Sequence, residues 1–318
     1  MKLLLHDSIR QQRRILGNLL AISMHNSARR LGQHLDNRHS LEILLLDVIG
    51  AMQNCKFLYI MDLQGRQITS NATHQGLDTS QFDRDRSQHE YMQGLSETIN
   101  FRLSNAYISA NCKRPSITAI QVIRDRNGVR SGFLGADYDL RELPHTDDLY
   151  REASMWRQLR SDPAIRSGLF RQQRVESVID TRMSDVLILM HELMTEHGVF
   201  HGKLHFSSNR ANICLMEDPY KYRMLGIEDL INPATCLAYP RRSYPEQAVV
   251  PVNDVMLVLD RLRELRFADE NIYLRSGSLN IFNGLVGLNF SCGGSHYMNH
   301  AEFLEKDMRF WAGMSCAG

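Results

Sequence analysis

The spacing of apolar residues changes near residue 57, and no single type of secondary structure can satisfy both patterns. Before residue 36, apolar side chains recur every three or four positions between Arg and Gln residues, which predicts one long helix. These side chains are Ile9, Ile15, Leu16, Leu19, Leu20, Leu31 and Leu35. A second helix is predicted from Ser40, where SLEILLLDVIGAMQN places Glu42 near the N-terminus.

From residue 57 the apolar runs are short, rich in β-branched and aromatic residues, and bounded by turn sequences. FLYIMD and RQITSN flank the turn LQG and predict one hairpin, and SITAIQVIRD and RSGFLGADYDL flank RNG and predict another. With NAYISA between them, residues 57–140 predict about five antiparallel strands, interrupted by one helical or looped segment.

The second half of the chain predicts another α+β domain. A charged segment at 151–180, broken by Pro163 and Gly168, predicts a helical linker between domains at 1–150 and 181–318. The second domain begins with the helix TRMSDVLILMHELMTEHG, which Gly198 would end. Strand candidates FHGKLHFSS and RANICLME precede a predicted turn at DPYKY. A helix at VNDVMLVLDRLRELRF, a Gly-interrupted strand pair at NIYLRSGSLNIFNGLVGLNFSC and a final helix at NHAEFLEKDMRFW follow, without a visible internal repeat.

Composition excludes several classes of protein. Lys plus Arg total 37 and Asp plus Glu total 36, so the chain lacks the basic excess typical of a nucleic-acid binder. Six widely spaced Cys residues without a CxxC motif favour free thiols in a reducing compartment. The apolar runs are too short for a signal peptide or a spanning helix, so we expect a soluble cytoplasmic protein.

Several short motifs follow one another in the first half. Asp62 and Gly65 lie in the first predicted turn, DRSQHEY spans 85–91, and YIS leads to PSITAIQVIRDRNGVRSGFLGADYDLREL. In its order and spacing this series resembles the PDC/Cache sensor domains over about residues 8–145. The later part of the pattern is met by Pro115, Asp125, Gly128, Gly132, Leu134 and Asp137. The resemblance implies long N-terminal helices leading into a PAS-like antiparallel sheet that holds a small ligand.

The resemblance also implies a set of ligand-binding residues. Tyr91, Tyr107 and Asp137 correspond to the pocket-facing tyrosine, aromatic and aspartate of the family, and Ser109 lies in the same YIS segment as Tyr107. His89 stands where the family has an arginine, so Arg86 or Arg84 becomes a candidate for binding a ligand carboxylate. A carboxylate can bind a ligand ammonium, and a phenol offers an apolar wall and a hydrogen-bond donor.

The charged stretch FDRDRSQHEYM has three readings. It is a solvated helix or loop, a lid that turns Tyr91 and one basic residue into a pocket, or a nucleic-acid patch. Asp83, Asp85 and Glu90 offset its arginines and disfavour the last of these.

Two other groups of residues predict chemistry only weakly. The segment HELMTEHGVFHGKLH holds His191, His197, His201 and His205, but its spacing is not the HExxH that places two imidazoles on one helical face. Cys292 and His296 end a Gly-rich segment that lacks the full signature of a nucleophile or a phosphate loop.

These observations predict a small-molecule sensor rather than an enzyme, with no cofactor and no metal. The expected ligand is an amino acid, an amine or a carboxylate-like metabolite, and no membrane or nucleic-acid partner is expected. The apolar series from Ile9 to Leu35 predicts a homodimer through the N-terminal helices, and output would pass to a partner protein. The alternatives are an enzyme with a His or Cys site in the second domain, around His197–His205 or Cys292–His296, and a dimeric scaffold.

Overall fold

We analysed a computed structural model, which describes residues 2–92, 99–110, 113–143 and 173–311. The chain divides into two compact units, Lys2–Glu152 and Ala153–Gly318. Each unit combines helices with one antiparallel sheet, which confirms the predicted α+β class. No helix in the described ranges has an apolar stretch long enough to cross a membrane.

Two helices open the N-terminal unit, α1 (Lys2–Leu31) and α2 (Arg38–Ala51). Asn37 precedes α2, and its side chain accepts a hydrogen bond from the Ser40 backbone amide, which is why the second helix begins before the predicted Ser40. Helix α1 packs along the sheet of its own unit. Its buried apolar side chains are Ile9, Leu16, Leu20, Met24, Ala28 and Leu31.

Seven strands form the sheet in the described part of this unit. They are β1 (Cys55–Met61), β2 (Asn71–Thr73), β3 (Gly76–Asp78), β4 (Phe101–Leu103), β5 (Tyr107–Ile108), β6 (Pro115–Arg124) and β7 (Arg130–Asp139). The order is β3-β2-β1-β7-β6-β4, with β5 also paired to β6, and every pairing is antiparallel. The central order β2-β1-β7-β6-β4, reached through long helices, is PAS-like, as the resemblance predicted.

The strand predicted at RQITSN forms only in part. Arg66 and Gln67 make isolated antiparallel bridges to Asp85 and Met61, Asn71 begins β2, and residues 68–70 form a loop that folds back on β1. Thr69 explains the difference, because its Oγ1 accepts the Ile60 amide hydrogen at 3.0 Å and so takes the place of a strand partner.

The C-terminal unit is described from residue 173, so the linker predicted at 151–180 falls outside the described residues up to 172. Residues 173–177 have no regular structure, and the helices α3 (Val178–Thr181) and α4 (Met183–Glu196) follow. Later come α5 (Ile227–Leu230), α6 (Val252–Phe267), α7 (His300–Glu305) and α8 (Met308–Trp311). The final predicted helix is therefore two short ones, separated at residues 306–307.

Within its described residues this unit holds six strands in the order β10-β9-β8-β11-β12-β13. They are β8 (Val199–His205), β9 (Arg210–Leu215), β10 (Asp218–Gly226), β11 (Leu274–Asn280), β12 (Leu285–Phe290) and β13 (Ser295–Asn299). The turn predicted at DPYKY is wrong, because these residues begin β10 and the reversal falls at residues 216–217. Each half of the sheet repeats the same order of one helix, three strands and one helix, a repeat that the amino-acid sequence does not reveal.

A candidate ligand-binding cavity in the N-terminal unit

One face of the N-terminal sheet carries polar side chains in the middle of otherwise buried strands. Side chains alternate between the two faces of a strand, so Ser116 and Thr118 of β6 point to the same side. They lie opposite Asp139 and Asp137 of β7, and Phe57 of β1 is the other neighbour of Asp137. This register gathers two carboxylates and two hydroxyls on one patch of the sheet.

A cavity of about 170 Å³ lies above this patch. We call it the Asp137 cavity. It is lined by Lys56, Phe57, Asn71, Arg84, Arg86, His89, Tyr107, Ile108, Ser109, Ala110, Ser116, Asp137, Tyr138 and Asp139.

Asp137 is held by hydrogen bonds to only one of its two carboxylate oxygens. Its Oδ1 accepts from Thr118 Oγ1 at 2.7 Å and from Tyr59 OH at 3.2 Å, and Tyr107 OH lies 2.9 Å from the same Thr118 hydroxyl. Oδ2 has no such partner among the described residues, and the side chain keeps accessible surface because it faces the cavity. Burial raises the pKa of Asp137, and the charge of Arg86 and the bond from Thr118 only partly offset this.

Tyr59 can lie beneath the cavity only because its neighbour on β7 has no side chain. Its cross-strand partner is Gly135, and a Cβ built there would lie 2.4 Å from the ring. The Arg86 guanidinium stacks over this ring at 4.0 Å from its centroid, a favourable cation–π geometry.

Arg86 is the buried basic residue of the charged stretch FDRDRSQHEYM. Only 7% of it is exposed, and its Nε donates to Gln67 Oε1 at 2.8 Å. Burial by itself lowers the pKa of Arg86, but Tyr59 and Asp137 outweigh it, so the pKa lies above its usual range. The guanidinium is therefore charged at any physiological pH.

Arg86 and Asp137 face the same cavity without neutralising each other. Both lie within the described residues, and they form no ion pair at N···O distances up to 4.0 Å. Buried charges are usually paired because desolvation is unfavourable. Two opposite charges held apart across a small cavity form a site that an ammonium group and a carboxylate can complete.

The segment that carries Arg86 is fastened to the loop after β1. Gln67 N donates to Arg84 O, Asp83 N donates to Gln67 O, and Arg86 N donates to Gly65 O, at 2.9–3.1 Å. Gly65 has φ +85°, and a Cβ there would lie 3.0 Å from the Ser87 Cα, so glycine is required for this close approach.

His89 and Tyr91 differ in their relation to the cavity. His89 lines it and stacks on Tyr91 with ring centroids 5.0 Å apart, whereas Tyr91 is not among the lining residues. Tyr91 belongs to a core cluster that continues the same face of the sheet. Its hydroxyl is buried near Arg86 and Tyr59 without a well-formed hydrogen bond to a described residue. Burial, and then the charges of Arg86 and Arg84, lower the pKa of His89.

A chain of buried polar contacts leads from Arg86 to α2. Gln67 is fully buried, and its Nε2 donates to Asn71 Oδ1 at 2.9 Å and to Thr69 O at 2.8 Å. The next residue along, Ser70, donates its backbone amide to Glu42 Oε1 at 2.8 Å. The carboxylate of α2 and the guanidinium of the cavity are thus joined through one loop, residues 67–71.

The structure brings five of the six predicted site residues to the cavity lining: His89, Arg86, Tyr107, Ser109 and Asp137. Sequence reasoning missed Tyr59, Gln67, Asn71 and Thr118, which hold the charged groups in position. A signal existed for Thr118, because polar residues two positions apart in both β6 and β7 mark one face of a buried hairpin.

The four predicted His residues of the C-terminal unit are distributed over helix α4, the residue that follows it and strand β8. His191 lies on α4, His197 Nδ1 is 3.0 Å from Tyr239 O, and His201 and His205 lie on β8. In the described part of the chain, no three His, Cys, Asp or Glu side chains are grouped so that they could hold a metal ion. Cys292 is an exposed free cysteine near His296, since Cys292 Sγ and His296 Nε2 lie 3.5 and 3.8 Å from the position of a Cβ built on Gly294. The His296 ring also contacts the rings of Phe290 and Trp311.

No protein-family model matches the sequence, and the search of curated proteins gives no match. Among solved structures, an extracellular ligand-binding receptor of Desulfohalobium retbaense is 18% identical, with a TM-score of 0.36, over 42% of this chain and 25% of that chain. The ligand-binding domain of a Campylobacter jejuni chemoreceptor, Tlp3, in complex with L-valine is 17% identical, with a TM-score of 0.34, over 46% of this chain and 57% of that chain.

The Bacillus subtilis protein YkuI, which has an EAL domain, is 16% identical, with a TM-score of 0.37, over 45% of this chain and 36% of that chain. This chain spans less than two thirds of each of the three solved chains. Likenesses at these identities and TM-scores assign no ligand to this chain, and its cavity has to be interpreted from its own residues.

Proposed function

We propose that the N-terminal unit is a receptor for a small metabolite with an ammonium group, such as an amino acid or an amine. The observation that carries this proposal is the separation of Arg86 and Asp137 across one cavity without an ion pair between them. Asp137 Oδ2 would accept from the ligand ammonium, and Arg86 would bind a ligand carboxylate through charge-assisted hydrogen bonds.

The size of the Asp137 cavity supports a small ligand. Its volume of about 170 Å³ is close to the ~150 Å³ of an engineered cavity that encloses one benzene molecule. An amino acid or a short amine matches this volume, whereas a peptide or a dinucleotide exceeds it.

We further propose that the receptor passes its signal to a partner protein through α2. The chain of contacts from Arg86 through Gln67 and Ser70 to Glu42 supports this route, because a ligand that moves Arg86 also strains the loop bonded to α2. The partner and its response to the ligand belong to the same proposal.

The first experiment is a thermal-shift screen of amino acids, amines and carboxylates on the wild-type chain. A ligand that binds only the folded state raises the melting temperature. In Asp137→Ala, a binding loss of about 2–5 kcal/mol is expected, because one partner of a desolvated charge pair is removed.

Asp36→Ala is the matched control, because Asp36 is exposed and its substitution changes the net charge by the same amount. The control should respond to the hit like the wild type. Equal affinity of Asp137→Ala and wild type for the hit would remove Asp137 from the binding site, and a screen without a hit among these classes would contradict the receptor proposal.

We also propose a homodimer through the N-terminal helices, on a smaller surface than the sequence predicted. Much of the predicted apolar series is covered by the sheet of the same unit, but Leu19, Ile22 and Ile43 are 48%, 70% and 55% exposed. Exposed apolar side chains that lie close together favour association.

Sedimentation of Ile22→Glu tests this interface. Deleting residues 1–36 would uncover the sheet beneath α1, so a single substitution is the cleaner change. The variant should be monomeric at micromolar concentration where the wild type is dimeric. The control is Val129→Glu, which changes a side chain 59% exposed at the β6–β7 turn, and a monomeric wild type would contradict the proposal.

A further inference from the structure

The charges that line the Asp137 cavity do not balance, and the imbalance is informative about the ligand. Two of the charged lining residues are neutralised by partners outside the lining. Lys56 Nζ lies 2.6 Å from Glu142 Oε1, and Arg141 makes three contacts of 2.7–3.2 Å with the carboxylate of Asp139.

Three charged lining residues remain, Arg84, Arg86 and Asp137. Arg86 donates to a neutral amide, and Arg84 donates to the amide oxygen of Gln81, also neutral. Neither arginine forms an ion pair with any residue in the described ranges at up to 4.0 Å. Among the described lining residues, two guanidinium groups therefore face the cavity against one carboxylate, an excess of one positive charge.

The two arginines occupy different depths. Arg86 is buried above Tyr59, whereas Arg84 is exposed and lies toward the solvent. The imidazole of His89 lines the same cavity as both arginines. A ligand that reaches Arg86 with one carboxylate therefore leaves Arg84 for a second acidic group nearer the surface.

We propose that the ligand is an acidic amino acid, with its ammonium on Asp137 and its two carboxylates on Arg86 and Arg84. This inference rests on the receptor function proposed above and narrows its ligand class. A neutral side-chain amide of the same shape would leave the Arg84 charge without a counterion, so the cavity should discriminate against it.

Calorimetric titration of the full chain with four amino acids tests the assignment. L-aspartate and L-glutamate should bind about tenfold tighter than their isosteres L-asparagine and L-glutamine, which is the size expected for one charge-assisted contact at a solvated position. Succinate, which has two carboxylates and no amino group, should bind more weakly than aspartate because nothing then occupies Asp137 Oδ2.

Arg84→Gln should abolish the preference for aspartate over asparagine while asparagine keeps its affinity. Arg14→Gln, which removes an exposed charge on α1, should leave the preference intact. The proposed ligand class is wrong if asparagine, glutamine or an apolar amino acid binds as tightly as aspartate and glutamate. It is also wrong if the preference for aspartate survives in Arg84→Gln. In both cases the proposed receptor function stands. Binding of succinate as tight as that of aspartate also overturns the proposed ligand class. If the chain binds no amino acid, amine or carboxylate, both the ligand class and the receptor function are overturned.

Discussion

Each unit of the chain contains a buried arginine near an aspartate, and the two sets are organised in opposite ways. In the C-terminal unit, Arg266 and Asp180 are fully buried and make two contacts of 2.8 Å. Arg266 also donates to Leu274 O at 3.0 Å. In the N-terminal unit, Arg86 and Asp137 make no contact with each other and share a cavity.

The difference lies in where each charge finds its partners. The Arg266–Asp180 pair satisfies itself, so it joins the start of the described segment to α6 and leaves no polar group for a ligand. Arg86 and Asp137 instead are positioned by neutral groups, Gln67, Tyr59 and Thr118, which orient the charges without neutralising them. Satisfied buried charges indicate a structural role, and separated ones indicate a binding site.

The largest expected effect is on the free energy of unfolding and comes from the Arg266–Asp180 pair, which we call the closed pair. Among the described residues, Arg266→Ala leaves buried Asp180 beside one more distant cation, Arg174 Nη1 at 3.8 Å. Breaking a buried pair in this way destabilises a fold by about 3–5 kcal/mol. Urea denaturation should detect this loss in the C-terminal unit.

Arg263→Ala is its control, because Arg263 is 40% exposed and its ion pair in the described part of the chain is with Asp260 on the same helix. A surface pair contributes about 0–1 kcal/mol. If Arg266→Ala and Arg263→Ala have equal stability, the closed pair does not hold the unit together, and the comparison between the two units fails.

A smaller effect should separate Asp137 from Asp180 by the sign of their pH dependence. Burial raises the pKa of Asp137, so protonation is favoured by folding, and the stabilisation is present at low pH and lost as pH rises through the folded pKa. Burial also raises the pKa of Asp180, but hydrogen bonds from Arg266 and Ser177 outweigh burial, so the pKa is lowered. Its stabilisation is present above the unfolded pKa near 3.9 and is lost as pH falls through the folded value.

Denaturation of wild type, Asp137→Asn and Asp180→Asn at pH 7, 5 and 3.5 measures how each aspartate changes the pH dependence of stability. Relative to Asp137→Asn, the wild type should gain stability as the pH falls from 7 to 3.5, because the raised folded pKa is passed in this interval. Relative to Asp180→Asn, it should lose stability below pH 4. The same sign for both aspartates would mean that the cavity and the closed pair are electrostatically alike.

The smallest expected effect concerns His89 at the mouth of the cavity. Arg86, Arg84, Asp137 and Asp85 act on this imidazole, and burial with the two arginines lowers its pKa. A ligand carboxylate raises that pKa again, so binding takes up a proton and strengthens as pH falls from 8 to 6, by at most about tenfold per pH unit.

His89→Arg should remove most of this pH dependence, since arginine stays charged. His74→Gln, at an exposed position on the β2–β3 turn, should keep it. Identical slopes in wild type and His89→Arg would leave the ligand carboxylate to the two arginines alone.

The sequence predicted the elements whose periodicity is long and regular. Both N-terminal helices, the β6–β7 hairpin and the helix at 252–267 are confirmed. The short strands β2, β3, β4 and β13 were not predicted, because three to five residues carry too little alternation to separate them from loops. The chain reversal before β10 was misplaced because Pro219 suggested a turn, although at an edge strand proline costs no ladder hydrogen bond.

The residues of the candidate site also fall into those that the sequence predicted and those that it did not. Asp137 and Arg86 were predicted because charged residues in a strand or beside a motif are conspicuous. Tyr59 sits in the run FLYIMD and reads as core, and Gln67 lies in a segment that was assigned to a strand. Their roles depend on the pairing of β1 with β7 and on the fold of loop 67–71, which local sequence does not encode.

The saturation of Asp137 Oδ1 by Tyr59 and Thr118 has a consequence for handedness. Only Oδ2 is open to an ammonium group, and Gln67 fixes the Arg86 end of the cavity, so two substituents of the ligand's α-carbon have assigned positions. A third contact then distinguishes mirror images, because exchanging enantiomers while keeping the first two contacts redirects the side chain. A receptor of this construction should therefore separate L- from D-amino acids even where both fit by volume.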